Sequence, residues 1–343
     1  MNKIFAALFA FVQAGTIKNC DRMVSITENE IVLTTMDIKY IPDAGDKTFL
    51  YTVAPDFETN LVSIEVLDAL RGEAATLPIK PTQGTNTTML WYAVDIQEPI
   101  SRSKDGVVYL EIVEIHKKRR EPYPAQASIK DKQTFQFTDS SVLLTPYKVQ
   151  KQTLEIHVPK ANSKIIGLTK HAETKVSENK ISYGGVQKDI APLSFDQITI
   201  MFENAAPYMI LTEATRKISV SHWGNIAVDE HFRIENIGPK VKNEFSRYDF
   251  DMNGAGQNCL KKLNSEYPYY IKGMYVGDYI GNISSTHALR TSTNVELEFE
   301  PRFPVCGGWQ VDWNQGYSMP TRFHLSESTT QADLFKLTMP FLH

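Results

Sequence analysis

The chain has little cysteine, no excess of basic charge and no long apolar run after its first residues. Cys20, Cys259 and Cys306 are too few for a disulfide-stapled scaffold and too widely spaced for a C-x-x-C redox motif or a thiolate zinc site. A formal net charge of −4 does not favour nucleic-acid binding, which needs a basic stripe. No later stretch reaches the roughly 18 apolar residues of a membrane-spanning helix.

Motifs for common hydrolytic and nucleotide-dependent reactions are also missing. H-E-x-x-H, G-x-S-x-G and the P-loop do not occur, and the nearest zinc-like string, Asp229-Glu230-His231, lies in a strand-like pattern. The eight histidines are scattered, and His222 falls on the apolar side of its pattern, where we expect a hydrogen-bonded core histidine. The sequence therefore predicts no catalytic residue, no metal site and no cofactor.

Strand-like alternation is what the chain has in abundance, and it is clearest from Arg216 to Ile237. Apolar residues hold the even positions there and polar residues the odd ones, which is the period of strands with one buried face. Gly224-Asn225 interrupts the pattern and predicts either a tight hairpin or a bulge in one long bent strand. Trp223 stands out on the polar face: it either covers a loop or packs between domains, or it contacts a partner or a sugar.

Short strand-like runs separated by Pro, Gly, Asn and Asp continue along the chain without alternating helices. This pattern favours an all-β chain built of β-sandwiches over a parallel α/β fold. With Arg22 aligned on Arg216, the apolar phase of residues 22–41 follows that of 216–237. A similar offset relates 107–112 to 295–299, which indicates two related domains of about 150 residues, unless the shared strand pattern is chance.

The polar, lysine-rich stretch 161–189 suggests where the two domains meet. We therefore predict two tandem β-sandwich domains, at residues 15–165 and 195–343, with a linker or junction at 166–194. The only basic run, Lys117–Arg120, is expected to be a solvated loop, with an acidic lipid or phosphate as the alternative ligand.

The first residues predict a signal peptide, 1–14. A short basic lead precedes an apolar run, and a small-residue pattern places the cleavage after Ala14; the alternative is an N-terminal core helix. A signal peptide would place the mature chain in an oxidising compartment. A disulfide between Cys259 and Cys306 is possible there, with Cys20 or one of the other cysteines left unpaired.

Two loops carry further candidate residues. Asn282 and Asn86 begin N-x-S/T sequons in turn-rich sequence and are predicted glycan acceptors. Residues 300–309 (EPRFPVCGGW) combine proline with a glycine pair, which predicts a rigid, specifically shaped loop. Arg302 in that loop either braces it by hydrogen bonds or binds a carboxylate. The candidate partner contacts are Trp223, Trp309, Arg302 and Phe303.

Several separated stretches resemble segments of the ribophorin I family. They are SHWGNIAVDE at 221–230, FSRYDF at 245–250, DYIGNISSTH at 278–287, EPRFPVCGGW at 300–309 and, more weakly, YPAQ at 123–126 and TPYKVQKQTLEI at 145–156. The stretch at 278–287 is similar to the family segment that carries a glycan, so the resemblance implies that Asn282 is the acceptor.

The resemblance implies a non-catalytic luminal subunit of oligosaccharyltransferase, the endoplasmic reticulum complex that transfers a dolichol-linked oligosaccharide to asparagine in N-x-S/T. Its expected partners are the other subunits including the catalytic one, nascent polypeptides and the translocon. The implied luminal fold is similar to the N-terminal modules of zinc aminopeptidases, in tandem. The alternative is an independent secreted β-sandwich protein that binds sugar or protein ligands through Trp223, Trp309 and a tyrosine cluster.

The chain departs from the family pattern in three respects. The family continues into one membrane span and a cytosolic segment, so we expect the second domain to be cut short here and the native protein to be held at the membrane by that span. GMYVG at 273–277 reads as an insertion, and Cys306 replaces a residue that is often large and apolar. The W-W-D-Y-G motif of the catalytic subunit does not occur.

Overall fold

A computed structural model describes residues 15–28, 31–43, 45–54, 57, 59–70, 75–83, 89–97, 103, 105–160, 163–171, 173–242, 245–252, 258–327 and 335–339. The chain divides into two compact units, one comprising Met1–Pro124 and Lys132–Ala205 and the other Ala125–Asp131 and Ala206–His343. The predicted signal peptide with its cleavage at Ala14, and the sequon at Asn86, lie outside the described residues.

The first unit is built of strands. They are β1 (Thr16–Ile26), β2 (Ile31–Ile41), β3 (Thr48–Val53), β4 (Leu61–Asp68), β5 (Ile79–Thr82), β6 (Leu90–Asp95), β7 (Val108–Lys117), β8 (Arg120–Pro122), β10 (Thr134–Ser140), β11 (Lys148–His157), β12 (Ser163–Leu168), β13 (Lys175–Ser177), β14 (Lys180–Ile190) and β15 (Gln197–Asn204). Their sheet orders are β13-β14-β11-β1-β2-β7-β4, β12-β15-β10-β8 and β3-β6-β5.

Alternation of apolar residues creates the core of this unit. In β7 every second residue is buried, among them Val108, Leu110 and Ile112. These side chains join a cluster that includes Tyr40 and Phe49, whose ring centroids lie 5.0 Å apart. Full burial of one such aliphatic side chain contributes about 1.5–3 kcal/mol.

The second unit is a smaller sandwich. Its elements are β9 (Gln126–Ala127), β16 (Met209–Ser221), β17 (Asn225–Asn236), β18 (Lys240–Val241), a helix α1 (Arg247–Met252), β19 (Leu263–Pro268), β20 (Lys272–Gly277), β21 (His287–Arg290), β22 (Asn294–Phe299), β23 (Gln310–Pro320), a 3-10 turn (Thr321–Phe323), β24 (Leu325–Glu327) and β25 (Phe335–Leu337). The sheets are β16-β17-β23-β20 and β19-β22-β21, with the pairs β18-β9 and β24-β25. Its core takes Ile226 and Val228 from the first sheet and Val295 and Leu297 from the second. The prediction of an all-β chain is therefore confirmed.

The predicted hairpin at Gly224 is present, because β16 and β17 pair antiparallel around it. Gly224 has φ +88°, a left-handed conformation that favours glycine at this turn. The two aligned arginines occupy matching places: Arg22 pairs with Met36 in β1–β2, and Arg216 pairs with Glu230 in β16–β17, at the same separation along the chain. The first element of the predicted repeat thus has a structural counterpart.

The second element of the repeat does not. β7, which contains most of 107–112, pairs with β2 and β4. β22, which contains most of 295–299, pairs with β19 and β21 in a different sheet from β17. The shared apolar pattern at these two places therefore reflects strand alternation. The strand of the second unit that corresponds to β7 is β23, because the orders β1-β2-β7-β4 and β3-β6-β5 match β16-β17-β23-β20 and β19-β22-β21.

The predicted linker at 166–194 is not a linker in the structure. This stretch supplies β13 and β14 to the seven-stranded sheet and the end of β12 to a second sheet. The boundary between the units instead falls after Ala205, and Ala125–Asp131 also belongs to the second unit. Lysine and serine on the exposed faces of these strands gave the stretch its linker-like composition.

Candidate functional site

The second unit contains a cavity of about 400 Å³ that brings together two of the four predicted contact residues, Arg302 and Phe303. Its lining includes Tyr279, Ile280, Phe299, Arg302, Phe303 and Trp313. The volume lies within the range of small-molecule and side-chain binding sites, and the lining is mainly apolar with few charged groups, as such sites usually are.

A buried hydrogen-bond chain fixes the floor of the cavity. The Trp313 indole N–H donates to Oε1 of Gln315 at 2.9 Å, and the Gln315 amide donates to the hydroxyl of Tyr267 at 2.7 Å and to Glu230 at 2.9 Å. Arg216 closes the chain through its 2.6 Å contact with Glu230. Because these hydrogen bonds hold the indole N–H of Trp313 through Gln315, the Trp313 ring has one defined orientation.

One wall is a tight hairpin that follows β20. Gly277 and Asn282 form an isolated antiparallel β-bridge, and the backbone N–H of Asp278 donates a hydrogen bond to the carbonyl of Gly281 at 2.9 Å. The Asp278 carboxylate accepts hydrogen bonds from the backbone N–H groups of Ile280 and Gly281, with distances of 2.9 and 3.1 Å. This turn places Tyr279 at its tip with 92% of its surface exposed.

Arg302 braces this hairpin. Its guanidinium forms a bidentate ion pair with the Asp278 carboxylate and also donates to the carbonyl of Gly281 at 3.3 Å. The hydrogen bond from Arg302 lowers the pKa of Asp278 to about 2. The expectation that Arg302 braces its surroundings by hydrogen bonds is confirmed, and the carboxylate that it binds here belongs to the protein itself.

The loop 300–309 is anchored by a disulfide. Cys259 and Cys306 are bonded, with Cα atoms 4.1 Å apart, and Cys20 is free and buried. Next to the bridge, Leu260 and Val305 exchange backbone hydrogen bonds of 3.0 and 2.9 Å. The disulfide allowed by the sequence analysis is therefore present, and it holds the loop that carries Arg302 and Phe303.

Trp309 closes this loop on its other side. Its ring lies 5.2 Å from Phe245 and 6.1 Å from Phe303, measured between centroids, so it is half-buried in an aromatic cluster. Phe303 thus connects this cluster to the cavity, where it is part of the lining. Trp309 supports the site and is not itself in the lining.

Trp223 is not part of this site. It lies in the turn between β16 and β17 and is 96% exposed, so the interpretation that it covers a loop is wrong. The interpretation that it packs between domains stays a prediction. The neighbouring His222 is exposed as well, and the expectation of a core histidine is wrong because the residue falls in the turn beyond the paired strands. Ile218 and Val220 are also partly exposed, since β16 is an edge strand.

Asn282 is exposed at the base of the hairpin that lines the cavity. Its sequon partner Ser284 is exposed too. An acceptor asparagine has to be reached by the transferring enzyme, and this position meets that condition. Its glycosylation remains a prediction.

The expectation that the basic run Lys117–Arg120 is solvated holds for Lys117 and Lys118, which are exposed, and is wrong for the two arginines. Arg119 and Arg120 are buried, and the Arg119 guanidinium lies 3.7 Å from the centroid of the Phe57 ring. Arg119 is also 3.5 Å from Asp139, which Arg22 binds with two contacts of 2.9 Å. The sequence predicted a solvated run because Asp139, the acidic partner of Arg119, is distant in sequence.

The charges in this buried cluster satisfy one another. Burial alone would raise the pKa of the Asp139 carboxyl, but Arg22 and then Arg119 outweigh it, so the pKa lies below its usual range. Nearby, the Tyr51 hydroxyl donates to Glu114 at 2.6 Å. We assign the cluster a structural role, since a buried carboxylate with two arginines needs no ligand.

Sequence reasoning missed Asp278, Tyr279 and Trp313 as parts of the site. Nothing local marks them, and only the pairing of β20 with β23 brings the hairpin to the Trp313 strand. Among the described residues no cluster of three or more His, Cys, Asp or Glu is placed to hold a metal ion. In the same part of the chain, none of the helices has the length and apolar character needed to cross a bilayer.

The curated relatives that resemble the chain include three that are named as subunits of dolichyl-diphosphooligosaccharide–protein glycosyltransferase. Subunit 1B of rice is 32% identical over 72% of this chain and 52% of its own length. Subunit 1A of Arabidopsis thaliana is 33% identical over 67% and 37%, and subunit 1 of Caenorhabditis elegans 26% over 96% and 55%. The chain thus spans about half the length of the curated relatives it matches.

Among solved structures, an M1 zinc metallopeptidase from Deinococcus radiodurans overlaps 60% of this chain and 44% of its own. The identity is 7% and the TM-score 0.29. An overlap this slight supports no argument about fold or chemistry.

The chain also matches a family model. The model described as Ribophorin I matches residues 16–343, which is nearly the whole chain. The match covers both compact units, including the cavity, the disulfide and the exposed Asn282 hairpin. The chain belongs to the Ribophorin I family.

Proposed function

We propose that the chain is a non-catalytic subunit of oligosaccharyltransferase that supports assembly of the complex and presents nascent polypeptides for N-glycosylation. The observation that carries this proposal is the family match over residues 16–343. Relatives named as glycosyltransferase subunits support it. The partners we propose are the other subunits, including the catalytic one, nascent chains and the translocon.

The chemistry of the cavity suits binding better than proton transfer. Asp278 is ionised and paired with Arg302, and its pKa of about 2 is far from the neutral range in which a general base works best. The other carboxylate in the lining, Asp312, is held by Arg233 at 2.8 Å. The apolar surface between these pairs would accept an apolar side chain of a partner or a nascent chain.

The disulfide supports the proposed compartment. Such bonds persist in oxidising environments, of which the lumen of the endoplasmic reticulum is one. A signal peptide at 1–14 and glycan acceptors at Asn282 and Asn86 belong to the same proposal. We place the protein in the lumen, at the membrane.

The test is purification of the endogenous protein from microsomes solubilised in a mild detergent, followed by mass spectrometry of its partners. We expect recovery of the catalytic oligosaccharyltransferase subunit in stoichiometric amounts. Purification without any other subunit would contradict the proposal.

The exposed Trp223 favours the alternative, an independent secreted protein that binds sugar or protein ligands. Pulse-chase analysis separates the two. Export of the native protein into the medium would support the alternative, whereas retention in microsomes after a salt wash would support the subunit.

A further inference from the structure

One end of the second unit displays three neighbouring turns, which we call the aromatic end: residues 221–225, 268–272 and 320–324. The Thr321 amide donates to the carbonyl of Gly224 at 3.1 Å, which joins the first turn to the third. The Phe323 ring stacks on the Tyr270 ring with 4.4 Å between centroids, which joins the third to the second. The three turns therefore form one continuous surface.

Large aromatic side chains project from this surface. Trp223 is 96% exposed, Tyr269 48% and Phe323 43%. Each lies in a turn, beyond the last paired residues of its strand. Exposed aromatic rings concentrated in one place on a domain mark an interaction surface, because single scattered ones would need no explanation.

The charge of the aromatic end has one sign. The sequences SHWGN, PYYIK and PTRFH contain Lys272 and Arg322 but no aspartate or glutamate. Both cations are exposed, and so is Arg290, which donates to the carbonyls of Tyr269 and Ile271. Within the described residues these three cations make no ion pair, and the Arg322 guanidinium lies over the Phe323 ring at 4.7 Å.

We propose that the aromatic end docks on the surface of a membrane that contains anionic lipid. Trp and Tyr are the residues favoured at the level of the lipid headgroups, where one end of the ring is apolar and the other wet. Lysine and arginine beside them are attracted to anionic headgroups. A surface with exposed aromatic rings, with exposed cations beside them and no aspartate or glutamate in its three turns, complements this membrane surface in both respects.

The observations favour a lipid surface over a protein partner. The site that would accept a protein side chain is the cavity with Tyr279 and Arg302, which belongs to another hairpin and has its charges already paired. At the aromatic end the rings project from turns and the cations are unpaired within the described residues. The proposal does not depend on the function proposed above, since vesicle binding can be measured without any other subunit.

The test uses the chain produced through a secretory pathway and sedimented with vesicles of phosphatidylcholine alone or with 30% phosphatidylserine. We expect binding to the anionic vesicles that weakens as salt is added. Arg322→Gln should weaken binding about fivefold, the effect of one cation near an anionic surface. Trp223→Ala should weaken vesicle binding roughly tenfold or more, because the variant lacks an aromatic ring that would bury ~150–250 Å² in the membrane surface.

Tyr248→Ala is the matched control, since it removes an aromatic that is 70% exposed from helix α1 of the same unit, away from the aromatic end and from the cavity lining. It should bind like the parent chain, and thermal unfolding should be the same for all variants. Equal binding by the parent and Trp223→Ala, or no binding to anionic vesicles, would overturn the proposal. So would loss of a co-purifying protein from Trp223→Ala with vesicle binding intact, which would identify the end as a protein contact.

Discussion

Removal of the Cys259–Cys306 disulfide is expected to destabilise the second unit strongly. The bond closes a loop of 47 residues. In the chain-entropy description, a loop of this length corresponds to about 4 kcal/mol of stabilisation at 25 °C, through the restricted unfolded state. Because both cysteines are buried beside the Leu260–Val305 pairing, the loss should also loosen the loop that carries Arg302.

Urea denaturation followed by fluorescence is the assay, with the chain compared before and after reduction and as the Cys259→Ala/Cys306→Ala variant. With a dependence of about 2 kcal/mol per molar urea, the midpoint for the second unit should fall by about 2 M. Cys259→Ala alone should behave like the double variant, because either change removes the same bond. A midpoint that stays within about 0.3 M of the parent, at that same dependence, would refute the reasoning.

Three further predictions concern single side chains. Asp139→Asn leaves two arginines buried without their anion and should lower the free energy of unfolding by about 3–5 kcal/mol, measured by chemical denaturation of the first unit. The pKa of Asp278 is lowered to about 2. The stability that its pair with Arg302 provides is therefore fully present above about pH 4 and is lost as the pH falls toward 2. In Asp278→Asn the stability should no longer fall between these two pH values for this reason, as measured by denaturation at a series of acidic pH values. Asn282→Gln and Ser284→Ala should each remove the same glycan, seen as an equal increase in gel mobility, and no change in mobility for either variant would contradict acceptor use.

The sequence was most informative where structure follows from local pattern. Alternation with Gly224 at its centre predicted the β16–β17 hairpin, because a left-handed turn residue and a period of two are both local signals. The prolines and the glycine pair of 300–309 drew attention to Arg302 and Phe303, which the structure places in the lining of one cavity.

The misses share one cause, which is partners far apart in sequence. Arg119 reads as solvated because Asp139 belongs to another strand. Asp278 had no marker because its partner Arg302 comes after two intervening strands. The stretch 166–194 resembles a linker in composition because the exposed faces of β13 and β14 are polar. Composition does not show that β14 pairs with a neighbouring strand on both of its edges.

The exposure of Trp223 has a similar explanation. An aromatic side chain on a polar strand face is usually buried by other groups. The sequence pattern alone does not show whether those groups belong to the same protein or to a partner. Here the ring projects from a turn, and the described residues leave it open. This is why the surface around it is assigned to an external partner.

The central claim, membership of the oligosaccharyltransferase complex, is tested most directly by immunodepletion. Antibodies against this chain would be used to clear a detergent extract of microsomes, and the transfer of oligosaccharide to an N-x-T acceptor peptide would then be measured. If the chain is a subunit of the complex, the transfer activity leaves the extract together with the chain and is recovered in the bound fraction. Full activity in an extract cleared of the chain would contradict the claim.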